Sequence, residues 1–231
     1  VPKLIGLIEN KESNYIFPEG KKNEVLAKLK AGVNDISLSR EKVAWGIPLP
    51  WDEAQTVYVW FDALINYYSA THFLERKEEF WPADLHLVGK EILWFHTVIW
   101  QAMLLSAKLP LPKKVYAHDF YTIDGQKMSK SLGNTIPPKE MVNLFGVDGA
   151  RYLIARSFPS GDDADIGIER FKERYNADLA NNLGNLVSRI CKLGEKLTVN
   201  SYELRIEKKY KNLIDNLKFD EAIKWVFENY I

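Results

Sequence analysis

The sequence has 231 residues, of which 46% are hydrophobic and 27% charged, and so describes a globular chain long enough for one large domain or two small ones. Thirty-one basic residues balance thirty-one acidic ones; this excludes the overall positive excess that many nucleic-acid binders carry but leaves room for a local basic face. A lone Cys191 and four scattered histidines exclude an internal disulfide and a sulfur-based zinc cluster, so no metal site is suggested and a reducing, cytoplasmic setting is the default.

Taken in chain order, Lys21 to Lys30 reads as a polar, lysine-rich helix that stops at Gly32. Asp35-Ile-Ser-Leu-Ser-Arg40 then alternates like a short strand or extended loop. The two prolines of Trp45-Gly-Ile-Pro-Leu-Pro50 forbid helix there and make a rigid loop. Val57-Tyr-Val-Trp60 reads as a strand, with Asp62 capping a helix to about Ala70. A second strand, Leu85 to Val88, passes through Gly89 into an apolar helix beginning near Glu91, which is the strand-to-helix step of a parallel sheet.

That apolar run, Ile92 to Leu105, carries His96 and Gln101 and falls short of the ~20 residues a membrane-spanning helix requires, so it predicts a buried helix and no membrane partner. Val115 to His118 is a third strand. The Asp124-Gly125 pair marks a turn into Gln126-Lys-Met-Ser-Lys-Ser-Leu-Gly-Asn134, and Pro137-Pro138 starts another helix. From about Glu169 the pattern becomes amphipathic and helical, with Tyr175 to Leu197 and Tyr202 to Tyr230 as helices split at Thr198 to Ser201. The start at Val1, without an initiator methionine or a signal pattern, predicts an internal piece of something longer.

The strongest chemical signal is Lys127-Met-Ser-Lys-Ser131 on a loop after a glycine. Two lysines three apart can place two ammonium groups around a polyphosphate, with Ser129 and Ser131 adding hydroxyl donors. Departure of pyrophosphate builds negative charge on its oxygens, and cations that close on it lower the barrier. An isolated Lys-x-x-Lys is more often a solvated loop; the whole pentapeptide in this setting is what singles it out.

The pentapeptide resembles the C-terminal signature of class I aminoacyl-tRNA synthetases. Asp35-Ile-Ser-Leu-Ser-Arg40, Trp45-Gly-Ile-Pro48, Val57-Tyr-Val-Trp-Phe-Asp-Ala63 and Gly89-Lys-Glu-Ile92 with Phe95-His96, in this order before the lysine loop, resemble the methionyl-tRNA synthetases among them. The resemblance implies an α/β fold: the second half of a Rossmann-like nucleotide fold over 1–118, a lysine-loop and stem-contact region over 119–170, and an incomplete helical anticodon-binding bundle over 171–231. It also implies ATP-dependent activation of methionine and transfer to tRNA(Met), with ATP and its Mg²⁺ as substrate. The alternatives are a class I synthetase for leucine, isoleucine or valine, which would lack the Asp35-to-Arg40 and Trp60-to-Tyr67 pattern, and a non-catalytic tRNA-binding module.

Residue by residue, the resemblance assigns Trp60, Ala63, Tyr67, Ile92 and His96 to the methionine side chain. A linear thioether suits such a box, because its polarizable sulfur packs on aromatic rings and needs only a weak donor. On periodicity alone the same residues also read as plain core. Lys127, Lys130 and Arg40 are assigned to the phosphates, Arg40 through the fork geometry that suits them, and Gly89, Glu91, Tyr121 and Ser129 to ATP. Glu91 stands where aspartate is more frequent, Leu64 where proline is, and Asp119 where glycine is usual. Asn185 and Arg189, four apart on one helix, match positions that read the anticodon through its free base edges and faces.

Class I synthetases also carry an N-terminal His-x-Gly-His signature, and none occurs around His72, His86, His96 or His118. The 231 residues alone are therefore predicted not to complete amino-acid activation, and a missing N-terminal catalytic half is counted among their partners.

Overall fold

The computed structural model describes residues 1–10, 15–41, 43, 45–74, 78–129, 131–159, 161–194 and 207–231. They form two compact units, Val1–His118 and Asp119–Ile231. Among the described residues no helix is long and apolar enough to cross a membrane.

In chain order the first unit contains α1 (Pro2–Glu9), β1 (Ile16–Phe17), α2 (Glu19–Lys30), β2 (Ser39–Arg40), β3 (Pro48–Leu49), β4 (Asp52–Val57), α3 (Val59–Ser69), β5 (His86–Gly89), α4 (Trp100–Ala107) and β6 (Val115–His118). Its main sheet is parallel throughout, in the order β1-β6-β5, with Ile16 beside Val115 and Gly89 beside His118. The central strand is the apolar run Val115-Tyr116-Ala117, buried on both faces as a covered parallel sheet demands. Leu4 and Ile8 of α1 and Val25 and Leu29 of α2, each pair one helical turn apart, join Ile16, Val88, Val115 and Ala117 in one core. Glu19 in the first turn of α2 and Lys28 and Lys30 in its last complement the helix dipole.

The strand expected over Val57 to Trp60 needs correction. β4 ends at Val57, and α3 begins at Val59 with Tyr58 as its N-cap residue and Asp62 inside the first turn. The β-branched and aromatic residues there mimic a strand, but packing wins: Trp60, Leu64 and Tyr67 face Trp100 and Leu104 at helical spacing. The apolar run after Gly89 is helical, as expected, through a 3-10 turn at Lys90–Ile92, a wide π-type turn at Phe95–Ile99 and then α4. It ends at Lys108 in the left-handed region (φ 58°), followed by Pro110 and Pro112, which cannot continue it.

The second unit contains β7 (Tyr121–Ile123), β8 (Gln126–Lys127), α5 (Pro138–Ser157), β9 (Ala164–Asp165), α6 (Ile168–Arg174), α7 (Gly184–Gly194), α8 (Lys208–Asp215) and α9 (Phe219–Tyr230). Asp124 (φ 53°) and Gly125 (φ 75°) both have positive φ, which makes the β7–β8 link a two-residue hairpin whose twist matches its strands. β9 adds to the other edge of β7 in parallel, Thr122 beside Asp165. α5 starts at Pro138 as expected and breaks at Gly146 (φ 71°). Its Met141, Phe145, Ala150 and Leu153 form a core with Ala164, Ile166 and Phe171.

α6 runs through a wide turn at Tyr175–Leu183 into α7, so helix starts at Ile168, before the expected Tyr175. The expected split at Thr198 to Ser201 lies outside the described residues. The single helix expected from Tyr202 to Tyr230 is corrected to α8 and α9, separated at Leu217 in the left-handed region (φ 58°).

Leu153 has no exposed surface, so Leu153→Ala should destabilise the second unit by roughly 2–5 kcal/mol. Chemical denaturation followed on that unit's tyrosines measures it.

Candidate functional site

In the first unit, α3 and the segment after β5 bring together three of the five residues that the resemblance assigned to methionine, Trp60, Tyr67 and His96, while Ile92 packs its side chain against the core around Leu4, Val88 and Val115. Trp60 and Tyr67 lie on the side of α3 that meets Phe95, Ile99 and Trp100, and Ala63 stands between them in the helix. Trp60 stacks on Phe95 with ring centroids 4.1 Å apart and meets His96 edge-on at 6.4 Å. Tyr67 Oη lies 2.9 Å from His96 Nε2.

The protons in that bond can be placed. His96 Nδ1 lies 3.0 Å from the carbonyl of Ile92, which can only accept, so Nδ1 carries a hydrogen. Burial lowers the His96 pKa, against the opposing pull of the Ile92 carbonyl, and so favours the neutral ring. In a neutral imidazole with Nδ1 protonated, Nε2 is an acceptor, and Tyr67 must donate to it. Burial in turn raises the Tyr67 pKa and keeps the phenol protonated.

His86, at the start of β5, packs its ring 4.5 Å from Tyr67 and 5.8 Å from His96. Burial, with a smaller contribution from the nearby His96 charge, lowers its pKa to about 4. The cluster is thus a neutral, largely aromatic group in which Tyr67 and His96 satisfy each other, while the buried Nε2 of His86 and Nε1 of Trp100 have no hydrogen-bond partner among the described residues. Sequence reading missed His86, because a single histidine beginning a strand carries no pattern. Phe95 was legible only as the neighbour of His96.

Gly89 ends β5, and Glu91 follows in the 3-10 turn. A Cβ on Gly89 would stand 2.5 Å from Glu91 Oε2, so the longer acidic side chain folds its carboxylate back over the glycine. That folding takes up the extra reach which glutamate has over aspartate. Arg40, on β2, places its guanidinium carbon 3.5 Å from the centre of the Tyr58 ring and donates to the carbonyls of Ser37 (3.2 Å) and Ser39 (2.9 Å). It borders a cleft of about 710 Å³ that Trp45, Ile47, Val59 and Asp62 also line.

In the second unit, Lys127 is the last residue of β8, directly across from Thr122, with its ammonium 3.9 Å from the centre of the Phe120 ring. Asn134 braces the loop beyond it. Its Oδ1 accepts from Ser129 N at 2.8 Å, and its Nδ2 donates to the Lys127 carbonyl at 3.3 Å. Ser129 Oγ and Ser131 Oγ share a hydrogen bond of 2.7 Å. Lys130 lies outside the described residues. Tyr121 stacks edge-on against Phe158, and its carbonyl accepts from Met128 N, while Phe120 N donates to Asp163 and Phe120 O accepts from Ala164 N. Those backbone groups of Phe120 and Tyr121 are therefore already engaged within the sheet.

Asn185 and Arg189 are exposed one turn apart on α7. Among the described residues, no group of three or more His, Cys, Asp or Glu side chains could hold a metal ion.

The family model for tRNA synthetases class I (M) matches residues 3–191. The chain is 48% identical over 187 residues to a methionine–tRNA ligase of Caldanaerobacter subterraneus subsp. tengcongensis, covering 79% of this chain and 29% of that protein. It is 45% identical over 226 residues to that of Clostridium acetobutylicum, covering 96% and 34% respectively. The crystal structure of Mycobacterium tuberculosis methionyl-tRNA synthetase bound by methionyl-adenylate superposes with a TM-score of 0.81 at 33% identity, over 98% of this chain and 48% of that one. The chain therefore spans between about a third and a half of the proteins it matches. With a family model over most of its length and relatives at this level of identity, the chain belongs to the methionyl-tRNA synthetases of class I.

Proposed function

We propose that this chain supplies the methionine pocket and the lysine loop of a methionine–tRNA ligase, which activates methionine with ATP and passes the methionyl group to tRNA(Met). The observation that carries the reading is the closed hydrogen-bond chain from Tyr67 through His96 to the Ile92 carbonyl, set beside the stacked pair Trp60 and Phe95. Both imidazole nitrogens are engaged within the protein. With both His96 nitrogens taken, a charged side chain would lose its hydration there without an ionic partner, whereas a thioether gives up little. Sulfur also gains from contact with aromatic edges, which a plain aliphatic chain does not. Ala63, the small residue between Trp60 and Tyr67 on α3, belongs to the same proposed pocket.

In this reading the methionine carboxylate attacks the α-phosphate of ATP in line, forming methionyl-adenylate and releasing pyrophosphate. ATP brings its Mg²⁺ as part of the substrate. Lys127, with Lys130 and the Ser129 hydroxyl, stabilises the charge that builds on the departing pyrophosphate, and Arg40 contributes a guanidinium to the phosphates. Glu91, its carboxylate folded over Gly89, accepts from the ribose hydroxyls, and Gly89 and Tyr121 are assigned to ATP as well. Catalysis is positioning and charge stabilisation, with no covalent enzyme nucleophile.

The division into a nucleotide-fold half over 1–118, a stem-contact region over 119–170 and a helical anticodon module from 171 belongs to the same proposal. There, Asn185 and Arg189 offer an amide and a guanidinium to unstacked anticodon bases. The Mycobacterium tuberculosis relative with bound methionyl-adenylate supports the activation chemistry. The reducing cytoplasmic setting is consistent with the lone Cys191.

The test is methionine-dependent ATP–pyrophosphate exchange by this chain joined to the remaining length its relatives possess, with leucine, isoleucine and valine as controls. Methionine alone should support exchange. Tyr67→Phe, which leaves His96 Nε2 buried without its donor, should raise KM for methionine roughly tenfold; exchange driven equally by leucine, or a KM unmoved by Tyr67→Phe, contradicts the reading.

The pH dependence has a definite sign. His86 and His96 are neutral in the folded pocket, with pKa values lowered from 6.5, to about 4 for His86. The unfolded chain therefore binds more protons than the folded one as pH falls below 6.5, and this contribution to stability is lost between about pH 6.5 and 4. A thermal-denaturation series across that window should show the first unit's midpoint falling, with the acid loss reduced in His86→Phe.

A further inference from the structure

In the second unit, one carboxylate forty residues downstream reaches into the hairpin that launches the lysine loop. Asp165 Oδ1 accepts from Thr122 Oγ1 and from Gly125 N, each at 3.2 Å, while Oδ2 pairs with Arg170 at 2.8 Å. Arg170 also donates to the Asp165 carbonyl at 3.3 Å, so a single guanidinium fixes both ends of the residue. These contacts hold the Asp165 carboxyl below the usual carboxylate range, with the Gly125 hydrogen bond contributing most.

The placement of these contacts is selective. Gly125 is the turn residue of the hairpin, and Thr122 is the register partner of Lys127, the last strand residue before the loop leaves the sheet. Parallel pairing of β9 with β7 holds the same segment from its backbone, through Ala164 N to Phe120 O at 2.9 Å and Ile166 N to Thr122 O at 2.7 Å. Asp163, two residues earlier, takes Phe120 N at 2.8 Å, and the Phe120 ring underlies the Lys127 ammonium. The first lysine of the loop is therefore aimed by strand geometry that β9, with Asp165 in it and Asp163 just before it, determines.

We infer that Asp165, backed by Arg170, is a positioning residue for the lysine loop: it fixes the Asp124–Gly125 turn and the Thr122–Lys127 register, and so sets where the Lys127 ammonium stands. The inference deepens the proposed function, because the positioned lysine is the one assigned to the phosphates.

The experiment is hydrogen exchange read by mass spectrometry on the 231-residue chain, comparing the parent with Asp165→Ala, Asp165→Asn and Arg170→Ala, each with and without tripolyphosphate. Asp165→Ala should speed exchange at 122–129 roughly tenfold, while 141–153 in α5 keeps its protection. Asp165→Asn, which retains an acceptor oxygen, should fall between Asp165→Ala and the parent. Arg170→Ala should loosen the same segment. Tripolyphosphate should slow exchange at 126–134 in the parent and less in Asp165→Ala. Unchanged exchange at 122–129 in Asp165→Ala overturns the inference, as does a uniform loosening of the whole unit, which marks ordinary structural support. If tripolyphosphate protects nothing in any variant while Asp165→Ala still frees 122–129, the positioning role stands and the phosphate reading of the loop falls.

Discussion

The first unit depends on how one imidazole uses its two nitrogens. Buried among Trp60, Tyr67, His86 and Trp100, His96 is held neutral, and the Ile92 carbonyl fixes which nitrogen carries the proton. The other nitrogen then draws in the Tyr67 hydroxyl, and Tyr67 ties α3 to the helix that follows β5. A hydrogen bond between two buried neutral groups is modest in net value, but leaving either partner unmatched is expensive. The same pairing that joins two elements of the core thus satisfies both His96 nitrogens, while the neighbouring buried nitrogens His86 Nε2 and Trp100 Nε1 have no hydrogen-bond partner among the described residues.

The second unit solves a different problem. Lysines on a loop are useful to a polyphosphate only if the loop leaves the fold at a fixed place, and a two-residue hairpin is marginal on its own. Here Asp124 and Gly125 supply the turn conformation, β9 covers the open edge of β7, and Asn134 closes the loop on itself by joining Ser129 to Lys127. The ammonium of Lys127 rests over the Phe120 ring, a contact whose strength depends on limited access to water.

Much of this was legible in the sequence where local pattern and chemistry coincide. The strand, glycine and helix around Gly89, the proline start of α5, the Asp124–Gly125 turn and the lysine pentapeptide all announce themselves within a few residues. The Trp60 region misled because valine, tyrosine and tryptophan have strand preferences, while the packing partner that makes them helical, Trp100, lies forty residues away. The break at Leu217 has no glycine or proline to mark it. β1, only two residues long, exists through its pairing with β6. His86 and Asp165 were invisible for the same reason: each acts through a contact distant in sequence, Tyr67 for one and Gly125 for the other.

The central claim is the proposal that the aromatic cluster where α3 meets the helix after β5 borders the methionine side chain. Its most direct test is equilibrium binding of radiolabelled methionine to the chain joined to the remaining length its relatives possess, with unlabelled methionine and leucine as competitors. The account predicts that methionine displaces the label at concentrations where leucine does not, and that the difference shrinks in Trp60→Ala. Equal displacement by leucine, or discrimination that survives the loss of Trp60, would contradict it.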